Sequence, residues 1–122
     1  MQKAIRKVGV IFLGLLMALV FCACAPAGLK NAEKMLKNQG YSVSVTQFDR
    51  NSDEYKLNGY KGYLKGTQNV FGWKIEAHHF VSGKIAKEWY EKNAQGKENA
   101  VTKDCWVVWG SYVSVHNFVG DI

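Results

Sequence analysis

Hydrophobic positions change period several times along this chain, and each change marks an element. Residues 8–21 contain no charged or strongly polar side chain. From Leu29 the apolar residues recur at helical spacing, as Leu29, Ala32, Met35 and Leu36, with Lys30, Lys34 and Lys37 around them. That spacing predicts an amphipathic helix. Gly40 closes it, since glycine takes the left-handed conformation that ends a helix, and Tyr41 can fold back onto the last turn. At Tyr41 the period becomes two: Tyr41, Val43 and Val45 alternate with Ser42, Ser44 and Thr46, a half-buried strand. Residues 49–54 read as a polar turn, and 55–65 resume a strand pattern. Asn58-Gly59 fits a hairpin turn, but the arm before it is short, so one long strand bulged at the glycine is expected.

After a turn at Gln68-Asn69, residues 71–81 predict a third strand, with Trp73, Ile75 and Ala77 on one face and Lys74, Glu76 and His78 on the other. Ser82 stands where an N-cap belongs, and Ile85, Ala86, Trp89 and Tyr90 form an apolar stripe on a helix running to about Gln95. Residues 95–103 read as a polar loop. The nearly continuous apolar run 105–109 predicts a central strand covered on both faces. Residues 111–119 fit a strand by their β-branched content, and also a short helix capped by Ser111 with Tyr112, Val115 and Val119 on one face. This order is that of an α+β domain: an antiparallel four-stranded sheet with helices packed on one face, behind an N-terminal signal segment. Residues 29–122 suffice for a single core without disulfides.

The N-terminus carries the information on compartment. Lys3, Arg6 and Lys7 precede the apolar stretch, which is the layout of an export signal. It ends in Phe21-Cys22-Ala23-Cys24-Ala25-Pro26, where a small residue precedes a cysteine. That end resembles a bacterial lipobox with Cys24 as the acylated residue; Ala23 suits the processing peptidase, whereas Phe21 and Cys22 depart from the usual Leu and small residue. Two other readings stay open. Ala23-Cys24-Ala25 is also a small-x-small secretion site, although cleavage there would leave Pro26 first. The uncharged stretch 8–29 is also about long enough to cross a bilayer as an uncleaved anchor. All three leave the remainder on the extracytoplasmic side, because the basic residues stay inside. The expected organisation is a signal peptide over 1–23, a lipidated tether over 24–28 and a small α+β domain over 29–122, attached to the cell membrane through Cys24.

Composition changes meaning once the signal is set apart. The 122 residues include 16 Lys and Arg against 10 Asp and Glu, a net of +6. Removal of Lys3, Arg6 and Lys7 leaves 13 basic and 10 acidic residues, a net of +3. That mild charge is accounted for by solubility, and the extracytoplasmic address argues against nucleic acid as a partner. A hydrophobic content of 48% with 21% charged residues excludes a disordered chain. Of the three cysteines, Cys22 would be removed, Cys24 lipidated and Cys105 left without a partner, so no intrachain disulfide is expected. Cys105 itself reads as a small core hydrophobe.

Three stretches carry a wider resemblance: Asn31-Ala32-Glu33-Lys34-Met35-Leu36 before Gly40-Tyr41; Ile75 through Phe80 with Ala86 and Tyr90; and Trp106-Val107-Val108-Trp109-Gly110 with Val115 and Phe118. Together they look like a group of small lipoproteins of Gram-positive-type bacteria whose function is uncharacterised. The likeness spans most of residues 29–118 and rests on core and capping positions. It implies a fold and an address, with the closing stretch helical, and brings no catalytic residue with it.

Candidate chemistry is sparse. Adjacent strand residues point to opposite faces, so His78 and His79 do not share a metal, and no Asp or Glu stands at ligand spacing from either. His78 is expected to face solvent and His79 to be partly packed. No glycine-framed serine and no Cys-His signature is present, and Gly59, Gly62 and Gly66 precede no helix that would make them a phosphate loop. Neither a catalytic residue nor a cofactor is therefore expected. If Tyr60, Gly62 and Leu64 face the core, then Lys61, Tyr63 and Lys65 share an open face with Lys74, Glu76 and His78. Basic and aromatic groups together suit a protein or an anionic envelope polymer. The expected role is a non-enzymatic binding module at the membrane surface. The alternative is an envelope hydrolase or accessory enzyme with a site built from His78 or His116 and a distant acid.

Overall fold

In the computed structural model, which describes residues 25–120, the helical spacing from Leu29 onward becomes α1 (Leu29–Asn38). The stretch expected to be a signal peptide and the expected lipidation site, Cys24, lie outside the described residues. Leu29, Ala32 and Leu36 form the buried face of α1, and Gly40 follows its end at φ +88°. The alternating stretch is β1 (Tyr41–Gln47), followed by a short helix α2 (Asp53–Asn58) and the strands β2 (Tyr60–Gln68) and β3 (Lys74–Phe80). Then come α3 (Gly83–Asn93), β4 (Val101–Lys103), β5 (Trp106–Gly110) and α4 (Tyr112–Val119). The five strands form one antiparallel sheet in the order β1-β2-β3-β5-β4.

The α+β class and antiparallel sheet agree with the sequence pattern, but the sheet has five strands instead of four. The extra strand, β4, lies in the stretch expected to be a polar loop. It pairs Val101, Thr102 and Lys103 with Val108, Val107 and Trp106 across a tight turn at Asp104-Cys105. Cys105 is therefore in a turn and only half-buried, where a core position was expected.

The helices also cover both faces, which corrects the one-sided arrangement. On one face α1 and α4 pack Leu36, Val115 and Phe118 against Leu64, Ile75, Ala77, Trp106 and Val108. On the other, Ile85, Ala86 and Trp89 of α3 pack against Phe80, Val107 and Trp109. The cause is β5, whose alternate residues Trp106 and Val108, then Val107 and Trp109, are large and apolar on both sides. Each such side chain gains ~1.5–3 kcal/mol by burial, so neither face of this strand is left in water.

Residues 53–58 are helical where the pattern suggested a turn running into a strand. Ser52 caps α2 by accepting the Tyr55 amide, and Gly59 ends it in the left-handed conformation at φ +63°. The bulge in β2 lies at Gly62 instead of Gly59: pairing slips between Tyr60, opposite Phe80, and Gly62, opposite His79. Ser82 caps α3 through the Ile85 amide, as its position suggested. Residues 112–119 are helical; Ser111 precedes them, but its hydroxyl accepts the Lys74 amide at 2.8 Å and ties α4 to β3.

Candidate functional site

Helix α3 covers only part of its face of the sheet. Over β1, β2 and the start of β3 a strip stays open, and the strand register decides what lies on it. Tyr63 stands opposite His78, Lys65 opposite Glu76 and Thr67 opposite Lys74. Four of the five expected face residues, Tyr63, Lys65, Lys74 and His78, therefore share a side. Lys65 and Lys74 are exposed, Tyr63 is half-buried, and the Lys65 Nζ lies 4.0 Å from a Glu76 oxygen.

Lys61 does not belong with them. The extra residue at the bulge reverses the alternation between Tyr60 and Gly62, so the Tyr60 ring joins the His78 side, 5.8 Å away, and Lys61 turns to the opposite face beside His79. A strand without the bulge would have matched the expected pattern.

His78 is also not solvent-facing: it is 6% exposed, roofed by Trp89 of α3 at 4.7 Å between ring centroids and flanked by Trp109 at 4.8 Å and Tyr63 at 5.3 Å. Its Nε2–H donates to Glu76 Oε2 at 2.8 Å, and its Nδ1 accepts from the Tyr60 hydroxyl. A carboxylate two residues away on the same strand face thus reaches this histidine, contrary to the expectation that none stood at such a spacing. Burial pushes the imidazole pKa below the usual 6.5, against the opposing pull of the Glu76 hydrogen bond. The Tyr60 hydroxyl is pushed well above 10, first by burial and then by Tyr63 and Glu76. The outcome is a neutral histidine with both ring nitrogens engaged and a tyrosine that resists ionisation. Lys97 completes the aromatic wall, 5.3 Å from the centre of the Trp109 ring. The rings of Tyr60, Trp89 and Trp109 were not identifiable as neighbours of His78 from the sequence, because three separate elements supply them. The only signal was the count of aromatic residues.

The opposite side of the sheet carries an open cleft of about 910 Å³. The start of α1 (Gly28, Lys30), the loop after β1 (Asp49, Arg50), Lys61 and His79 line it. His79 is 5% exposed and stacks on Trp106 at 4.2 Å. Burial and the nearby Lys61 charge lower its pKa to about 4. Beside the cleft, the Trp106 indole N–H donates to the Pro26 carbonyl at 2.7 Å, and Ala25 packs against the core. The stretch expected to be a tether is thus fastened to the domain from Ala25 onward.

His116 is on α4 with its ring 4.1 Å from Tyr112. Among the described residues, no cluster of three His, Cys, Asp or Glu side chains stands close enough to hold a metal ion. Nor, among them, is any helix long and apolar enough to cross a membrane. No protein-family model, curated protein or solved structure matches the chain.

Proposed function

We propose that this chain is a lipid-anchored, extracytoplasmic binding module of the bacterial envelope, attached through Cys24, with the open strip of the sheet as its ligand surface. The observation that carries the reading is the exposure of Lys65 and Lys74 on the same side of the sheet as Tyr63, with Lys65 two residues from Tyr63 along β2 and Lys74 opposite Thr67. Together they offer charge and a flat apolar contact to a protein or an anionic polymer. The burial of His78 beneath the Trp89 ring, which leaves it 6% exposed, supports a binding role over a catalytic one. The basic start, apolar run and lipobox-like end of the sequence support the anchor.

Two variants of the full chain test this. Cys24→Ala abolishes incorporation of labelled palmitate; incorporation that persists refutes the anchor. The double variant Lys65→Glu/Lys74→Glu loses retention on purified anionic envelope polymer and on envelope-protein extract; unchanged retention on both refutes the strip as the binding surface.

A second reading, a hydrolase, is favoured by one distance: the 2.8 Å hydrogen bond between His78 and Glu76, a histidine and a carboxylate brought together. It predicts release of soluble fragments from envelope polymer by the wild type and none by His78→Gln. No release by the wild type removes it.

A further inference from the structure

We propose that the cleft between the start of α1 and the loop after β1 binds a phosphate-bearing anion, supplied at the membrane by the headgroup of an anionic phospholipid. Three features meet there. Lys30, Arg50 and Lys61 line the cleft against a single carboxylate, Asp49, which already accepts the Asn51 amide at 2.8 Å. The ten-residue helix α1 opens onto it with no acidic residue in its first turn and no side-chain cap, because its N-cap is Gly28. A side chain at Gly28 would meet nothing within 4 Å, so the space over these amides is open. Uncapped amides at a helix start favour an anion.

His79 is the independent sign of a ligand. It is 5% exposed and lines the cleft, yet its one ring contact among the described residues is the stack on Trp106, and neither ring nitrogen has a hydrogen-bond partner among them. A buried imidazole left in this state lacks both a donor's and an acceptor's partner. A phosphate oxygen entering between Arg50 and Lys61 would accept its N–H, and the guanidinium fork of Arg50 would grip the same group. The preference for a lipid headgroup over a soluble phosphate rests on the anchored reading above. Ala27 lines the cleft and the Trp106 indole holds Pro26, so the described chain enters the domain beside the cleft, a few residues in sequence after the cysteine that carries the lipid in that reading.

The experiment uses the full chain in neutral detergent, with the ring resonances of His79 followed by nuclear magnetic resonance. The probes are dihexanoyl phosphatidylglycerol, dihexanoyl phosphatidylcholine and inorganic phosphate. Phosphatidylglycerol is expected to shift the His79 signals saturably, with Arg50→Gln and Lys61→Gln each weakening binding about ten-fold and Lys87→Gln on α3 leaving it unchanged. Arg50 is exposed, so its variant keeps the test valid even if Lys61→Gln disturbs the bulge. Saturation by inorganic phosphate at equal affinity also supports the site, with a soluble phosphate compound as the source. No saturable shift with either anion, or equal binding of phosphatidylcholine and phosphatidylglycerol, overturns the proposal. Labelled palmitate scores the anchor separately: binding without incorporation retains the cleft and rejects the anchor, and incorporation without binding does the reverse.

Discussion

Gly62 decides which side chains meet in this protein. Its φ of +148° lies outside the range of ordinary residues, and a Cβ there would come within 2.3 Å of the Thr46 carbonyl and 2.8 Å of Leu29. The close backbone partner cannot swing away as a side-chain tip would. Gly62→Ala is therefore expected to destabilise the fold by about 1–3 kcal/mol or more, read from urea unfolding. The bulge it permits sends Lys61 to the cleft and Tyr60 to His78. A pattern of alternation contains no mark for a single extra residue, and for that reason Lys61 was expected on the wrong face while Tyr63, Lys65 and Lys74 were placed correctly. His78 was placed on the correct face but expected in solvent, because its roof, Trp89, comes from a helix that docks on that side only in the folded chain.

At the scale of elements, local chemistry was legible where it was self-contained. Ser82 accepts the Ile85 amide at 3.2 Å, and nothing outside α3 is needed to explain that start. Ser82→Ala is expected to cost about 1 kcal/mol, seen as a lower unfolding midpoint in urea, since the amide loses its acceptor. Elements whose cause lies elsewhere were missed. Strand β4 is three residues long and exists through its pairing with β5, so its sequence shows no apolar period of its own. Helix α2 has no buried residue and rests on its caps, Ser52 and Gly59, which read equally as turn residues.

For the whole molecule, two buried histidines link stability to pH. Both imidazoles have pKa values lowered by burial, His79 to about 4, whereas the unfolded chain takes up protons near 6.5. The unfolded state therefore binds more protons below that value, and stability, complete above pH 6.5, falls as pH drops toward 4. The loss is at most about 1.4 kcal/mol per pH unit for each histidine. Urea unfolding across this interval is expected to show the decline, and His79→Gln to flatten it; a pH-independent wild type contradicts the assignment.

The sequence alone determined the α+β class and the positions of α1, β1 and α3. These follow from periodicity and caps, which act over a few neighbouring residues. It also held a conflict that only the tertiary structure resolved. A strand apolar on both sides, 105–109, does not fit a sheet covered on one face, and α3 resolves this by burying Val107 and Trp109 opposite the side where α1 and α4 bury Trp106 and Val108. That choice, with the slip at Gly62, built the His78 cluster on one face and the cationic cleft on the other. Both depend on contacts between residues far apart in the chain, whose energy appears only when separate elements exclude water from each other.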